Sequence, residues 1–237
     1  MYVLWEAGPT THPDSAEFTL LRPLMPACYH SIMKKWGGLV WILWGAACLS
    51  ATDYQVKTVK ILPIESYPAR TAVGNVTIAA DPYSTDKKSY LAFDVKKLNS
   101  RGYFPLHVII QNASPDFLKI YTRNVVLVTS TGQHLYTTPA TILVDDVIRA
   151  GLVSKIPLIG SGKDASPISD FTNKELTNRM LDPGTVSNGF LFFFTPDPEN
   201  NPFAGSTLYI PKLEAEGTGK SLGPFSIPLD PALKKSP

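Results

Sequence analysis

Few side chains in this 237-residue chain combine the type and spacing that chemistry needs. Ser84-Thr-Asp-Lys87 sets a lysine three positions after a serine. In that S-x-x-K spacing an amine can activate a hydroxyl for acyl transfer. The companion motifs S-D-N and K-T-G do not follow, and Asp-Pro-Tyr-Ser-Thr-Asp reads as a turn rather than the start of a helix, so the match is read as chance. Gly160-Ser-Gly-Lys163 has the ending of a phosphate loop. Pro157 stands where the first glycine belongs and Asp164 where Ser or Thr is needed, so it reads as an ordinary loop. After Thr52 the only histidines are His107, inside an apolar run, and His134, after a Gly-Gln turn. The first reads as structural and the second as exposed, and two histidines without cysteine do not make a zinc or copper site. Asp145-Asp146 and Asp197-x-Glu199-Asn200-Asn201 gather oxygen ligands without EF-hand spacing, and capping and turn formation account for them. The expectation is therefore no catalytic set, no cofactor and no metal.

The other reactive position is Cys48, and its setting is an export signal. Met33-Lys34-Lys35 is followed by the uncharged apolar run Trp36–Ala47 and then by Cys48-Leu49-Ser50-Ala51. A basic start, a short apolar stretch and small residues at the cut are the layout of a secretory signal. The run is too short, and too rich in glycine at 37, 38 and 45, for a membrane-spanning helix of roughly 20 apolar residues. Residues 1–32, broken by Pro9, Pro13, Pro23 and Pro26, read as an unstructured upstream extension, and residues 33–51 as the signal. Two cuts stay open. Gly45-Ala-Ala-Cys48 resembles the lipobox of bacterial lipoproteins, although glycine replaces the usual leucine at its first position. That cut would lipidate Cys48 and tether the protein, whereas cleavage after Ala51 would free it. Either way the expected address is outside the cytoplasm: periplasm, or lipid-anchored at the outer membrane.

Composition supports a folded domain from 52 to 237. The chain is 44% hydrophobic and 18% charged, too apolar for disorder. Both cysteines, 28 and 48, lie before Thr52, so a domain cut after Ala51 has no disulfide and depends on its core. A net charge of +2 is no footprint for nucleic acid.

Strand signals dominate this domain. Residues 54–61, 73–80 and 90–95 mix β-formers with polar residues, as half-exposed strands do. Pro105–Gln111 is more apolar and reads as central, and Asn112–Asp116 supplies a turn. Phe117–Thr129 is long enough for two short strands or one bent strand. Gly189–Thr195 is the most apolar run and reads as a central strand buried on both faces. Residues 207–213 and 222–229 follow, with Pro211, Pro224 and Pro228 favouring edge or irregular pairing. Two helices are expected in an insertion at about 145–182. One spans Asp145–Val153; the other spans Phe171–Met180, opened by a capping box at Thr172-x-x-Glu175. The pattern predicts a mainly β fold, a sandwich with a short helical insertion.

The run Ala92–Val95 through Gly102–Asn112, with Gly189-Phe-Leu-Phe-Phe-Phe and Leu208-Tyr-Ile-Pro211, resembles uncharacterised immunoglobulin-like domains of bacterial secreted proteins and lipoproteins. The resemblance implies an immunoglobulin-like sandwich and an envelope address, and no activity. The functional expectation is a non-enzymatic envelope domain that contacts an envelope protein or helps build an assembly. The alternative is a small-ligand or glycan-binding module of the periplasm or cell surface, using exposed tyrosines, among them Tyr67, Tyr83 and Tyr103, and the 145–182 insertion. The sequons at Asn75 and Asn112 would be idle in a bacterial protein.

Overall fold

The computed structural model describes residues 54–150 and 167–234. Residues 1–53, with the export signal and Cys48, and residues 151–166, with the Gly160–Lys163 loop, lie outside the described residues. The fold is mainly β, with three antiparallel four-stranded sheets and a few helices among the described residues.

The first sheet comprises β1 (Arg70–Val73), β2 (Val76–Pro82), β3 (Tyr103–Asn112) and β8 (Thr185–Phe194), in the order β1-β2-β3-β8. β3 pairs with β2 on one side and with β8 along all ten of its residues on the other, so the expected central place of the 105–111 run holds. β8 takes the end of this order rather than the centre, a correction to the reading of 189–195. Single bridges to Thr137 and Glu175 cover its other edge. This cover explains how an end strand stays dry: Phe190, Leu191, Phe192 and Phe193 are all buried. Phe194, where the strand runs out, is exposed.

The other two sheets read β12-β9-β5-β6 and β11-β10-β4-β7. Their strands are β4 (Leu118–Ile120), β5 (Val126–Val128), β6 (His134–Tyr136), β7 (Arg179–Leu181), β9 (Thr207–Ile210), β10 (Leu213–Ala215), β11 (Ser221–Leu222) and β12 (Phe225–Pro228). Three consecutive pairs, β4/β5, β9/β10 and β11/β12, occupy matching places in the two orders. They form one layer broken along a line. The breaks fall at the 3-10 turn Thr122–Asn124, at Pro211-Lys212 and at Gly223-Pro224. Proline cannot donate to a ladder. At Gly223 a Cβ would stand 2.8 Å from the Pro211 carbonyl oxygen, so the close approach of two of the breaks requires glycine. The 117–129 run thus forms two short strands, as its length allows.

Alternation divides the first sheet. Val76, Ile78, Phe104, Leu106, Val108, Leu191 and Phe193 share a core with Leu118, Leu127, Leu208, Leu213, Phe225 and Ile227 of the other layer. On the opposite face Tyr83, Tyr103, Phe190 and Phe192 pack with three helices. These are α1 (Asp86–Ala92), α2 (Ala140–Arg149) and α3 (Pro167–Lys174); a short α4 (Asp230–Leu233) closes the described chain.

Several expected elements change. Residues 54–61 form no ladder but an extended strap. Residues 90–92 are the end of α1 rather than part of a strand. The Asp145–Val153 helix starts earlier, at Ala140, and the Phe171–Met180 helix is α3, which ends at Lys174. Thr172 caps nothing at an N-terminus: its Oγ1 donates to the Ile168 and Ser169 carbonyls. Glu175 caps the other helix, accepting from the Ala140 N–H at 3.1 Å.

Candidate functional site

A cleft of about 650 Å³ opens where residues 62–68, the end of β2, α1 and α4 meet. One wall is α1. Thr85 caps the helix by accepting from the Lys88 N–H at 3.2 Å. The Asp86 carboxylate accepts from the Asn99 and Ser100 amides at 2.7 and 3.1 Å, and from the Ser100 hydroxyl. Ser89 and Asn99, both buried, donate to each other's neighbourhood: Ser89 Oγ to Asn99 Oδ1 at 2.6 Å, and Asn99 Nδ2 to the Tyr83 carbonyl at 2.7 Å. The 84–87 stretch therefore does open a helix, contrary to the turn reading, and the residue that caps it is Thr85.

Ser84 lies in the cleft, and among the described residues its hydroxyl has no hydrogen-bond partner. Lys87 is exposed and is not its partner. Lys88 instead donates to Asp81 Oδ1 at 2.6 Å and to the Pro82 carbonyl at 2.9 Å. The opposite wall is braced by Arg70, whose Nη1 donates to the Glu65 and Tyr67 carbonyls at 2.8 and 2.7 Å. Tyr67 accepts from the Leu62 N–H at 3.0 Å. Leu62 and Leu91 present apolar surface, 44% and 67% exposed.

The three tyrosines taken as a surface are not exposed. Tyr67, Tyr83 and Tyr103 are all buried, because each ring closes part of a core while its hydroxyl finds a polar neighbour or a rim. Tyr67 still lines the cleft. Tyr83 stands edge-on to Phe190 at 5.1 Å, and burial pushes its hydroxyl well above the ordinary tyrosine range. Tyr103 donates to Asp146 Oδ2 at 3.1 Å; burial, then the Asp146 charge, raise it. Tyr54 is also buried, and Tyr90 is 37% exposed.

His107 is buried, stacked on Phe190 at 4.6 Å and 19°, with Nε2 2.9 Å from Asn188 Oδ1. Burial lowers its pKa against the opposing Asn188 contact. That is the structural role read from its apolar strand. His134 is exposed. Asp197 accepts from Asn200 Nδ2 at 2.6 Å, a turn contact. Among the described residues no three His, Cys, Asp or Glu side chains gather as a metal site.

The strap joins this face to the helices. Tyr54 donates to Asp170 Oδ2 at 2.6 Å, and Lys174 pairs with Asp170 Oδ1 at 2.7 Å. Lys57 pairs with Asp94 at 3.1 Å, donates to the Tyr90 carbonyl at 2.7 Å and lies 3.0 Å from the Tyr90 ring centroid. At Asp94 burial acts upward, but the Gln55 N–H and the Lys57 ammonium outweigh it and the pKa is lowered. Burial raises Glu175 against its bond from Ala140. The i,i+4 spacing of Asp170 and Lys174 was visible in the sequence; the partnership with Tyr54, across 116 positions, was not.

No family model matches the chain, and no curated protein matches it. Three solved structures are similar. The yjhA protein of Bacillus subtilis is 10% identical over 61% of this chain and 78% of its own, with a TM-score of 0.33. A candidate lipoprotein, ycdA, of Bacillus subtilis subsp. subtilis str. 168 is 12% identical over 70% of this chain and 40% of its own, at 0.34. A functionally unknown protein of Listeria monocytogenes EGD-e is 10% identical over 67% of this chain and 79% of its own, at 0.33. Likenesses this weak fix neither fold type nor role. Among the described residues no helix is long and apolar enough to cross a membrane.

Proposed function

We propose that this chain is an exported, immunoglobulin-like β-sandwich domain of the bacterial envelope that binds its target rather than transforming it. Its role is contact with an envelope protein or assembly with one. The basic and apolar run 33–47 supports export, with the tether at Cys48 or release after Ala51 both compatible with it. Two antiparallel layers sharing one core support the sandwich. The observation that carries the binding reading is the α1 cleft, where Leu62 and Leu91 are exposed beside a helix held by buried hydrogen bonds. Apolar side chains on a rigid support are what interface anchors require.

A photo-crosslinking residue at Leu91, compared with one at Tyr209 on β9, tests this in intact envelopes. A discrete protein adduct at position 91 and none at 209 is expected. No adduct at 91, or substrate turnover lost in Ser84→Ala, overturns it.

The cleft volume favours a second reading, a small-ligand or glycan module. About 650 Å³ falls within the roughly 300–1,000 Å³ typical of small-molecule sites. A thermal-shift panel of glycans and small amphiphiles, with Leu91→Asp as control, separates the two.

A further inference from the structure

We propose that the α1 cleft binds a small amphipathic anion, a carboxylate carried on an alkyl chain. This rests on the small-ligand reading and narrows it to one chemistry.

The polar part of the cleft is a donor surface. Its ionisable side chains include Asp81, Lys87 and Lys88. Asp81 and Lys88 neutralise each other at 2.6 Å. Lys87 has no ion-pair partner among the described residues, so this group carries one uncompensated positive charge. Lys88 spends two of its three ammonium protons on Asp81 and Pro82 and keeps one. The hydroxyls of Thr85 and Tyr67 are engaged as acceptors, from the Lys88 and Leu62 amides, and so retain their own protons to donate. Ser84 is wholly free among the described residues. Against these donors the only carboxylate of the group, Asp81, is already occupied. A ligand that satisfies this set must bring acceptors and negative charge.

The rest of the cleft is apolar. Leu62, Leu91 and Leu233 stand around it, and Leu91, 67% exposed on a helix, is left uncovered. A ligand with a charged head alone would leave that surface wet, and an alkyl chain alone would leave the donors without partners. Charge complementarity and the uncovered leucine together select an amphiphile.

Calorimetry on the purified full chain tests this with decanoate below its micelle concentration, against decanol and decyltrimethylammonium. Saturable one-to-one binding of decanoate is expected, with decanol at least about tenfold weaker and the ammonium amphiphile inert. Lys87→Glu should weaken decanoate at least about tenfold, and Leu91→Asp should remove it. Both positions are exposed, so unchanged thermal midpoints confirm that the variants fold. Binding that ignores Lys87→Glu, or equal binding of the cationic amphiphile, overturns the proposal. If decanoate fails while a neutral panel compound binds in a Leu91→Asp-sensitive way, the anion inference falls and the small-ligand reading stands. If no compound binds, both fall. Lys87-dependent capture by phosphatidylcholine–phosphatidylglycerol vesicles without decanoate binding also overturns it, in favour of a membrane surface.

Discussion

On one face of the β1-β2-β3-β8 sheet the core is made of aliphatic side chains and phenylalanine. On the other, every buried ionisable group among the described residues is found: Tyr54, Tyr67, Tyr83, Tyr103, His107 and Asp170. The same ten-residue strands build both. Phe193 points into the first core and Phe192 into the second, one residue apart. The difference lies in what covers each face. A second β layer brings its own alternating apolar positions and needs no polar contact at its centre. Three short helices and a strap expose helix ends and backbone carbonyls, and side-chain donors and carboxylates must satisfy them. The helix-bearing side is therefore held by specific pairs, and the cleft opens at its margin.

The largest test removes one residue from each core. Phe192→Ala and Phe193→Ala should each cost about 3–5 kcal/mol, read as a shift in urea midpoint. The comparison is sharpened by where protection is lost: Phe193→Ala should weaken hydrogen exchange protection in both layers, and Phe192→Ala chiefly over α1, α2 and α3. Identical protection maps would mean the two cores form one cooperative unit. Lys174→Ala belongs to the same scale, at about 3 kcal/mol, because among the described residues it leaves buried Asp170 with only the Tyr54 hydroxyl.

Legibility in the sequence follows the same division. β3 and the 189–195 run were readable because alternation and apolar content survive wherever a strand is packed between layers. The helix side was not. Residues 90–92 carry β-formers, yet Thr85 caps a helix there and Asp86 secures it through contacts at 99–100, more than ten positions away. The strap at 54–61 has strand composition but no strand beside it; Lys57 and Tyr54 hold it by side chains instead. Thr172 and Glu175 have capping-box spacing, but Glu175 is captured by the start of α2. Of the site, Tyr67, Ser84 and Lys87 stand out in the sequence, and Lys88 and Leu91 do not, since only the fold brings Asp81 and residue 62 to them.

Gly189→Ala probes the seam between the two regions. A Cβ there would stand 2.8 Å from the Leu176 backbone nitrogen and Cα, where Leu176 donates to the Phe190 carbonyl at 2.8 Å. Neither backbone can yield cheaply, so a loss of about 1–3 kcal/mol is expected in chemical denaturation. A loss under about 0.5 kcal/mol would show the 175–176 segment to be free to move away from β8.

Acid should separate the faces as well. His107 is lowered by burial, so protonating it costs the folded state. A depressed group contributes stability above its unfolded pKa, about 6.5 for histidine, and that contribution is lost as pH falls below it. Asp94, also lowered, extends the loss to pH below about 3.9. Exchange protection, corrected for intrinsic rates, should decline first over the strap and the helices between pH 7 and 5. His107→Leu should remove that part of the dependence. Earlier loss in β9 or β12 would reverse the assignment.

The smallest effect comes from a pair that looks like the buried one in sequence. Asp145 and Arg149 on α2 have the same i,i+4 spacing as Asp170 and Lys174 on α3, and both form ion pairs. The α2 pair has side chains 59% and 76% exposed; the α3 pair has 2% and 17%. Water screens the first pair and solvates either partner when the other is removed, so little is lost. In the second, removing the cation strands a carboxylate that water does not reach. Arg149 also sits in the last turn of α2, where a cation favours the helix dipole by a few tenths of a kcal/mol. Arg149→Ala should therefore lower stability by no more than about 0.5 kcal/mol, against about 3 kcal/mol for Lys174→Ala, and salt should erase the first difference and not the second. Equal losses in the two variants, or a salt-sensitive Lys174→Ala, would mean that Asp170 is hydrated and that the helix-bearing face is not a closed core.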